Sequence, residues 1–108
     1  MIRLRQIALI APDLDPVVDR LRDTLGLEVC FHDPGVAEFG LRNALLLVGD
    51  QFLEVLSPID EDTAVGRLLA KRGGPGGYMV IHEVDDLDTR LEQLAQRDVR
   101  VVWAGDFP

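Results

Sequence analysis

The feature that most constrains this chain is a block that recurs at an offset of 73 residues. Asp13-Leu14-Asp15 and Asp86-Leu87-Asp88 each follow a short apolar run, open an amphipathic stretch and lead into another apolar run, and Val18 and Leu21 map in the same way onto Leu91 and Leu94. Self-similarity of this kind marks two copies of one supersecondary unit. The second copy is the shorter one, because the stretch from about Ala37 to Pro58 has no counterpart within 108 residues.

With 47% apolar and 28% charged residues, the chain has enough hydrocarbon for one modest core, and a single domain is the default. A formal net charge of -8 disfavours partners held by a basic surface, so neither nucleic acid nor an anionic membrane face is expected. The one cysteine, Cys30, excludes an internal disulfide framework. Met1 to Ile10, closed by Pro12, is too short for a signal peptide or a membrane span, and a reducing cytoplasmic setting is expected.

Ile2 to Ile10 alternates loosely and is rich in branched residues, which predicts a strand ended by Pro12. Asp15 is the expected N-cap of a helix with Pro16 at its first position and Val17, Leu21 and Leu25 on one face, stopped by Gly26. Leu27 to His32 reads as a second strand and Asp33-Pro34-Gly35 as a turn; Val36 to Leu41 has no assignment. Asn43 to Val48 and Gln51 to Leu56 read as two strands around Gly49-Asp50. A short helix from Thr63 to Arg72, a Gly73–Gly77 linker, a strand from Tyr78 to Val84, a helix capped near Asp86 and a strand from Val99 to Trp103 complete the pattern. The expected organisation is an α+β chain: a first βαβββ module over residues 1–58, a helix and linker over 59–77, and a partial βαβ module over 78–108, forming one compact domain overall.

Pairing Val48 with Gln51 sets Leu45 across from Glu54. One face of this hairpin then carries Asn43, Leu45, Leu47, Phe52, Glu54 and Leu56, the other Ala44, Leu46, Val48, Leu53 and Val55. Both faces are apolar, as in a sheet covered on both sides. Glu54 breaks the run. A carboxylate placed there costs several kcal/mol, roughly, unless it is paired, protonated or bound to a metal.

Gln6-Ile7-Ala8-Leu9-Ile10-Ala11-Pro12-Asp13-Leu14-Asp15, Leu25-Gly26-Leu27 and Phe52-Leu53-Glu54-Val55-Leu56-Ser57-Pro58 together resemble the vicinal oxygen chelate superfamily, which includes glyoxalase lyases, methylmalonyl-CoA epimerases, extradiol dioxygenases and bleomycin-resistance proteins. The run from Gly40 to Asp50 looks especially like the glyoxalase-like subfamily. The resemblance implies paired βαβββ modules whose curved sheets form a cup, with a divalent metal (zinc, nickel, manganese or iron) on four side chains, two per module. Matched position by position, Gln6 and Glu54 fall on two ligand positions. The third falls on Met79, where many relatives have His, and the fourth lies beyond residue 108. A thioether is a poor ligand for hard divalent ions.

Each residue also has a plainer reading. Gln6 is readable as an ordinary polar residue of an edge strand, and Glu54 as the partner of Arg42 or Arg3 in a structural ion pair. Arg42 and Asn43 are candidates to grip an anionic or carbonyl group at the cup mouth, with Leu45, Leu47, Phe52 and Met79 as apolar lining. Cys30 and His32 share a strand face but lack a third, orienting group, so a buried apolar cysteine is expected. Trp103 is expected in the core.

Three functional readings follow from these residues. In a metal-dependent lyase or isomerase, Glu54 is the catalytic carboxylate that moves a proton. In a metal-free module, the cup holds a small molecule or antibiotic. In a fragment of a longer two-module protein, the open sheet edge favours a homodimer.

Overall fold

The computed structural model describes residues 1–106. Its elements are β1 (Ile2–Ile10), α1 (Leu14–Leu25), β2 (Val29–Phe31), a 3-10 turn (Pro34–Phe39), β3 (Leu41–Val48), β4 (Gln51–Pro58), α2 (Ala64–Arg72), β5 (Gly76–Val84) and α3 (Leu87–Gln96). The strands form one five-stranded sheet in the order β2-β3-β4-β1-β5. β1 runs parallel to β4 and antiparallel to β5, and the β3/β4 hairpin has the expected register, with Val48 opposite Gln51 and Leu45 opposite Glu54.

Strand alternation explains why both faces of this sheet are apolar. On one side Ala44, Leu46 and Val55 meet Leu14 and Val18 of α1. On the other, Ala8, Ile10, Leu41 and Leu56 meet Val36 of the 3-10 turn and Val65 and Leu69 of α2. The second cluster fills only one end of its face. The remainder of that face, where the expected cup would lie, carries Gln6, Leu45, Phe52 and Glu54.

The repeat is visible in the helix starts: Asp13 is the N-cap residue of α1 and Asp86 that of α3. Asp86 accepts from the Thr89 amide at 3.1 Å. Asp15, expected as the first cap, lies instead in the first turn of α1, where its charge complements the helix dipole. Pro16 permits this early start, because the first-turn amides have no intrahelical partner and a missing N–H costs nothing there.

Other expectations need correction. The glycine linker is shorter than Gly73–Gly77, since β5 already includes Gly76 and Gly77; Gly73, at φ 86°, caps α2. Val99 to Trp103 forms no strand. In the first unit the corresponding strand β2 pairs only with β3, and no strand of the sheet lies beside Val99 to Trp103 among the described residues. Without a strand beside it, the segment has no sheet ladder to join. Trp103 is 47% exposed rather than buried, standing edge-on against Phe39 with ring centroids 5.5 Å apart. Cys30 is exposed as well.

Candidate functional site

Glu54 and Gln6 meet because β4 and β1 are parallel neighbours: Gln6 is level with Phe52 and Ala8 with Glu54, so all four share one face. Asn43 joins from β3, in register with Leu56. The result is a small polar cluster in an apolar surround. Glu54 is 5% exposed and Asn43 4%. Asn43 Nδ2 donates to Glu54 Oε2 at 2.7 Å, and Gln6 Nε2 donates to Glu54 Oε1 at 2.9 Å.

The cluster is fixed from outside. The Asp33 amide donates to Asn43 Oδ1 at 2.7 Å, and Asp33 in turn accepts from Gly35 at the start of the 3-10 turn. His32 Nδ1 lies 2.7 Å from the Asn43 carbonyl. Asn43 is thereby oriented to offer its N–H to the carboxylate. Burial pushes the Glu54 carboxyl above its ordinary value, outweighing the two amide hydrogen bonds that lower it, while the Asp33 charge adds to the rise. Among the described residues no guanidinium or ammonium pairs with Glu54: Arg3 is engaged by Asp50 at 2.7 Å and Glu83 at 3.9 Å, and Arg42 is exposed, on the strand face opposite Asn43. The ion-pair reading of Glu54 is thus replaced by a carboxylate held by neutral amides.

Leu45 and Phe52 are half-buried beside the cluster, and Leu47 and Met79 are more open, at 45% and 42% exposure. Met79 pairs with Ala8, which is also level with Glu54. A groove of about 450 Å³ on the α1 side, lined by Ile7, Leu25, Leu27 and Leu53 and reaching Gln6 and Phe52, does not include Glu54.

The donors present do not form a divalent-metal set. Both Glu54 oxygens already accept amide hydrogen bonds, Gln6 turns its N–H toward Glu54, and the position level with them across β1 holds the Met79 thioether. Among the described residues no group of three or more His, Cys, Asp or Glu side chains comes together. Hard divalent ions require oxygen or imidazole donors in greater number than this.

One residue escaped the sequence reading. Strict alternation would send Arg5 to the face opposite Gln6, but β1 slips against β5 between Leu4, which pairs with His82, and Gln6, which pairs with Ile81. Arg5 is the unpaired residue of this bulge, and its guanidinium lies over the Phe52 ring, 4.9 Å from the centroid. Nothing in the hydropathy pattern announces the slip.

The sequence profile of the Glyoxalase/Bleomycin resistance protein/Dioxygenase superfamily matches residues 5–108. The chain is 26% identical over 104 residues to the ethylmalonyl-CoA/methylmalonyl-CoA epimerase of Cereibacter sphaeroides, covering 96% of this chain and 77% of that protein. It is 29% identical over 98 residues to the mitochondrial methylmalonyl-CoA epimerase of Mus musculus, covering 91% and 54%. The chain thus spans little more than half the length of this mitochondrial relative. A variant of Streptomyces coelicolor methylmalonyl-CoA epimerase, solved in complex with 2-nitronate-propionyl-CoA, superposes with a TM-score of 0.83 at 33% identity, covering 94% of this chain and 75% of that one. A two-sided βαβββ sheet with a carboxylate buried on one face and these matches agree: the chain belongs to the Glyoxalase/Bleomycin resistance protein/Dioxygenase superfamily.

Proposed function

We propose that this chain is an isomerase of the epimerase type, taking a small acyl thioester into the cup and using Glu54 to remove the proton from the carbon beside the thioester carbonyl. The observation that carries this reading is Glu54 itself, a carboxylate 5% exposed, braced through both oxygens and raised above its ordinary value by burial, which makes it a stronger base. Similarity to epimerases that act on methylmalonyl-CoA supports the substrate class. Gln6 spends one of its two N–H groups on Glu54, leaving the other for a developing enolate oxygen. Loss of the proton to Glu54 gives a planar enolate; a proton from solvent, delivered to the opposite face, inverts the centre, and Glu54 releases its own proton to solvent.

The test is exchange in deuterium oxide. Methylmalonyl-CoA incubated with the chain gains deuterium at C2, and Glu54→Gln lowers the rate by about 10²-fold or more, the usual worth of a positioned base. Equal rates for the two proteins would remove Glu54 from the reaction.

A second reading, a metal-free binding module, is favoured by Met79 at a ligand position and by the hydrocarbon of Leu45, Leu47 and Phe52. It predicts a retained organic ligand by native mass spectrometry with no C2 exchange. The open edge of β5 supports a homodimer under either reading.

A further inference from the structure

We propose that Arg5 is the anion-binding residue of the cup, placed to take the free carboxylate of a dicarboxylic acyl thioester; this rests on the isomerase reading of Glu54. The β1 bulge leaves Arg5 without an opposing residue on β5, and a bulge of this kind re-aims a side chain. Here it aims a guanidinium at the cup face, since Phe52, under it at 4.9 Å, is level with Gln6 and two residues from Glu54.

Two contacts fix Arg5, while the nearby Asp50 carboxylate feels its charge but bonds Arg3. The Phe52 ring supports the guanidinium plane, and Nη1 donates to the Asp50 carbonyl at 2.9 Å. No carboxylate lies within ion-pair distance of Arg5 among the described residues, because Asp50 turns its carboxylate to Arg3 at 2.7 Å. Of five N–H donors in the fork, one is spent. The remainder suit a carboxylate, which guanidinium binds in bidentate fashion.

The spacing selects the anion. Phe52 and Glu54 are about 6.6 Å apart along one strand face, a span bridged by a carbon at the base and a carboxylate attached directly to it. The phosphates of a coenzyme tail lie a whole pantetheine arm from that carbon. Charge points the same way. The chain carries a formal -8 and the cup a buried carboxylate, so a second negative group enters only where a cation offsets the repulsion.

Calorimetric titration of the chain with methylmalonyl-CoA and propionyl-CoA, which differ by the carboxylate, tests this. Methylmalonyl-CoA is expected to bind about tenfold tighter or more, the worth of a charge-assisted hydrogen bond. Arg5→Gln is expected to abolish that preference while leaving propionyl-CoA affinity unchanged. A preference that survives Arg5→Gln overturns the assignment. So does an equal loss for both esters, which would mean that Arg5 reads a tail phosphate, and so does failure to bind either ester. Intact discrimination without C2 exchange would sink the isomerase reading and leave Arg5 standing.

Discussion

Glu54 shows how one buried side chain, proposed as the base, also costs stability. Its neighbours on the cup face are hydrocarbon and amide, so ionisation in the folded chain is opposed by desolvation and only partly supported by Asn43 and Gln6. The folded carboxyl therefore titrates above its ordinary 4.5. A folded state that binds the proton more tightly than the unfolded chain is favoured most below the unfolded value, and that advantage is lost as pH rises through the folded one. Glu54→Gln keeps the shape and cannot ionise. Its unfolding temperature relative to wild type is expected to increase as pH is raised from 4 through the raised carboxyl range, then level off; a difference independent of pH would mean that Glu54 is not desolvated in the folded chain. Sequence alone identified this residue, because a carboxylate in an apolar run is an anomaly that needs no coordinates. Arg5 stayed hidden, since its placement depends on a register slip between strands distant in sequence.

Helix α2 decides where the cup ends. Val65 and Leu69 pack on Leu56 and Ile10, and the helix is held at its start by Thr63, which accepts from the Gly66 amide at 3.0 Å. Gly66 is required there: a Cβ would come within 2.5 Å of the Glu61 carbonyl oxygen. Alanine is the better helix former by about 1 kcal/mol, yet a backbone collision of this kind forces the 59–63 loop or the helix to move, at a cost of about 1–3 kcal/mol. Gly66→Ala is therefore expected to be destabilising by denaturant titration, and a gain in stability would show that the loop yields freely. The helix itself was legible from its apolar stripe, as were β1, the β3/β4 hairpin and its register, all set by local periodicity. The failed strand at Val99 to Trp103 marks the limit of such reading. Its branched residues fit a strand, but a strand exists only with a neighbour, and local pattern does not say whether one is present.

At the scale of the molecule, the sheet's outer strand on one side is β5 among the described residues. β5 is the last strand in the order, with Val80 61% and Tyr78 39% exposed, and α3 buries none of its residues, Leu87 standing 62% exposed. Free edges are normally guarded by charge, proline or a cover. The middle of β5, Tyr78 to Ile81, has none of these. A second copy is the self-complementary occupant, since antiparallel pairing of two β5 edges satisfies both rows of backbone groups around a twofold axis. Against this stands the formal charge of -8 on each chain, a repulsion that salt screens over about 8–10 Å at physiological strength. Edge pairing opposed by like charge therefore tightens as salt rises, whereas association held by ion pairs weakens. Sedimentation equilibrium is expected to show a dimer that tightens as salt is raised from low to moderate concentration, and Val80→Lys, which adds a charge at an already exposed position, is expected to weaken it by about tenfold or more. Association that weakens with salt would identify ion pairs as the glue, and a monomer at all concentrations would show that β5 remains unpaired.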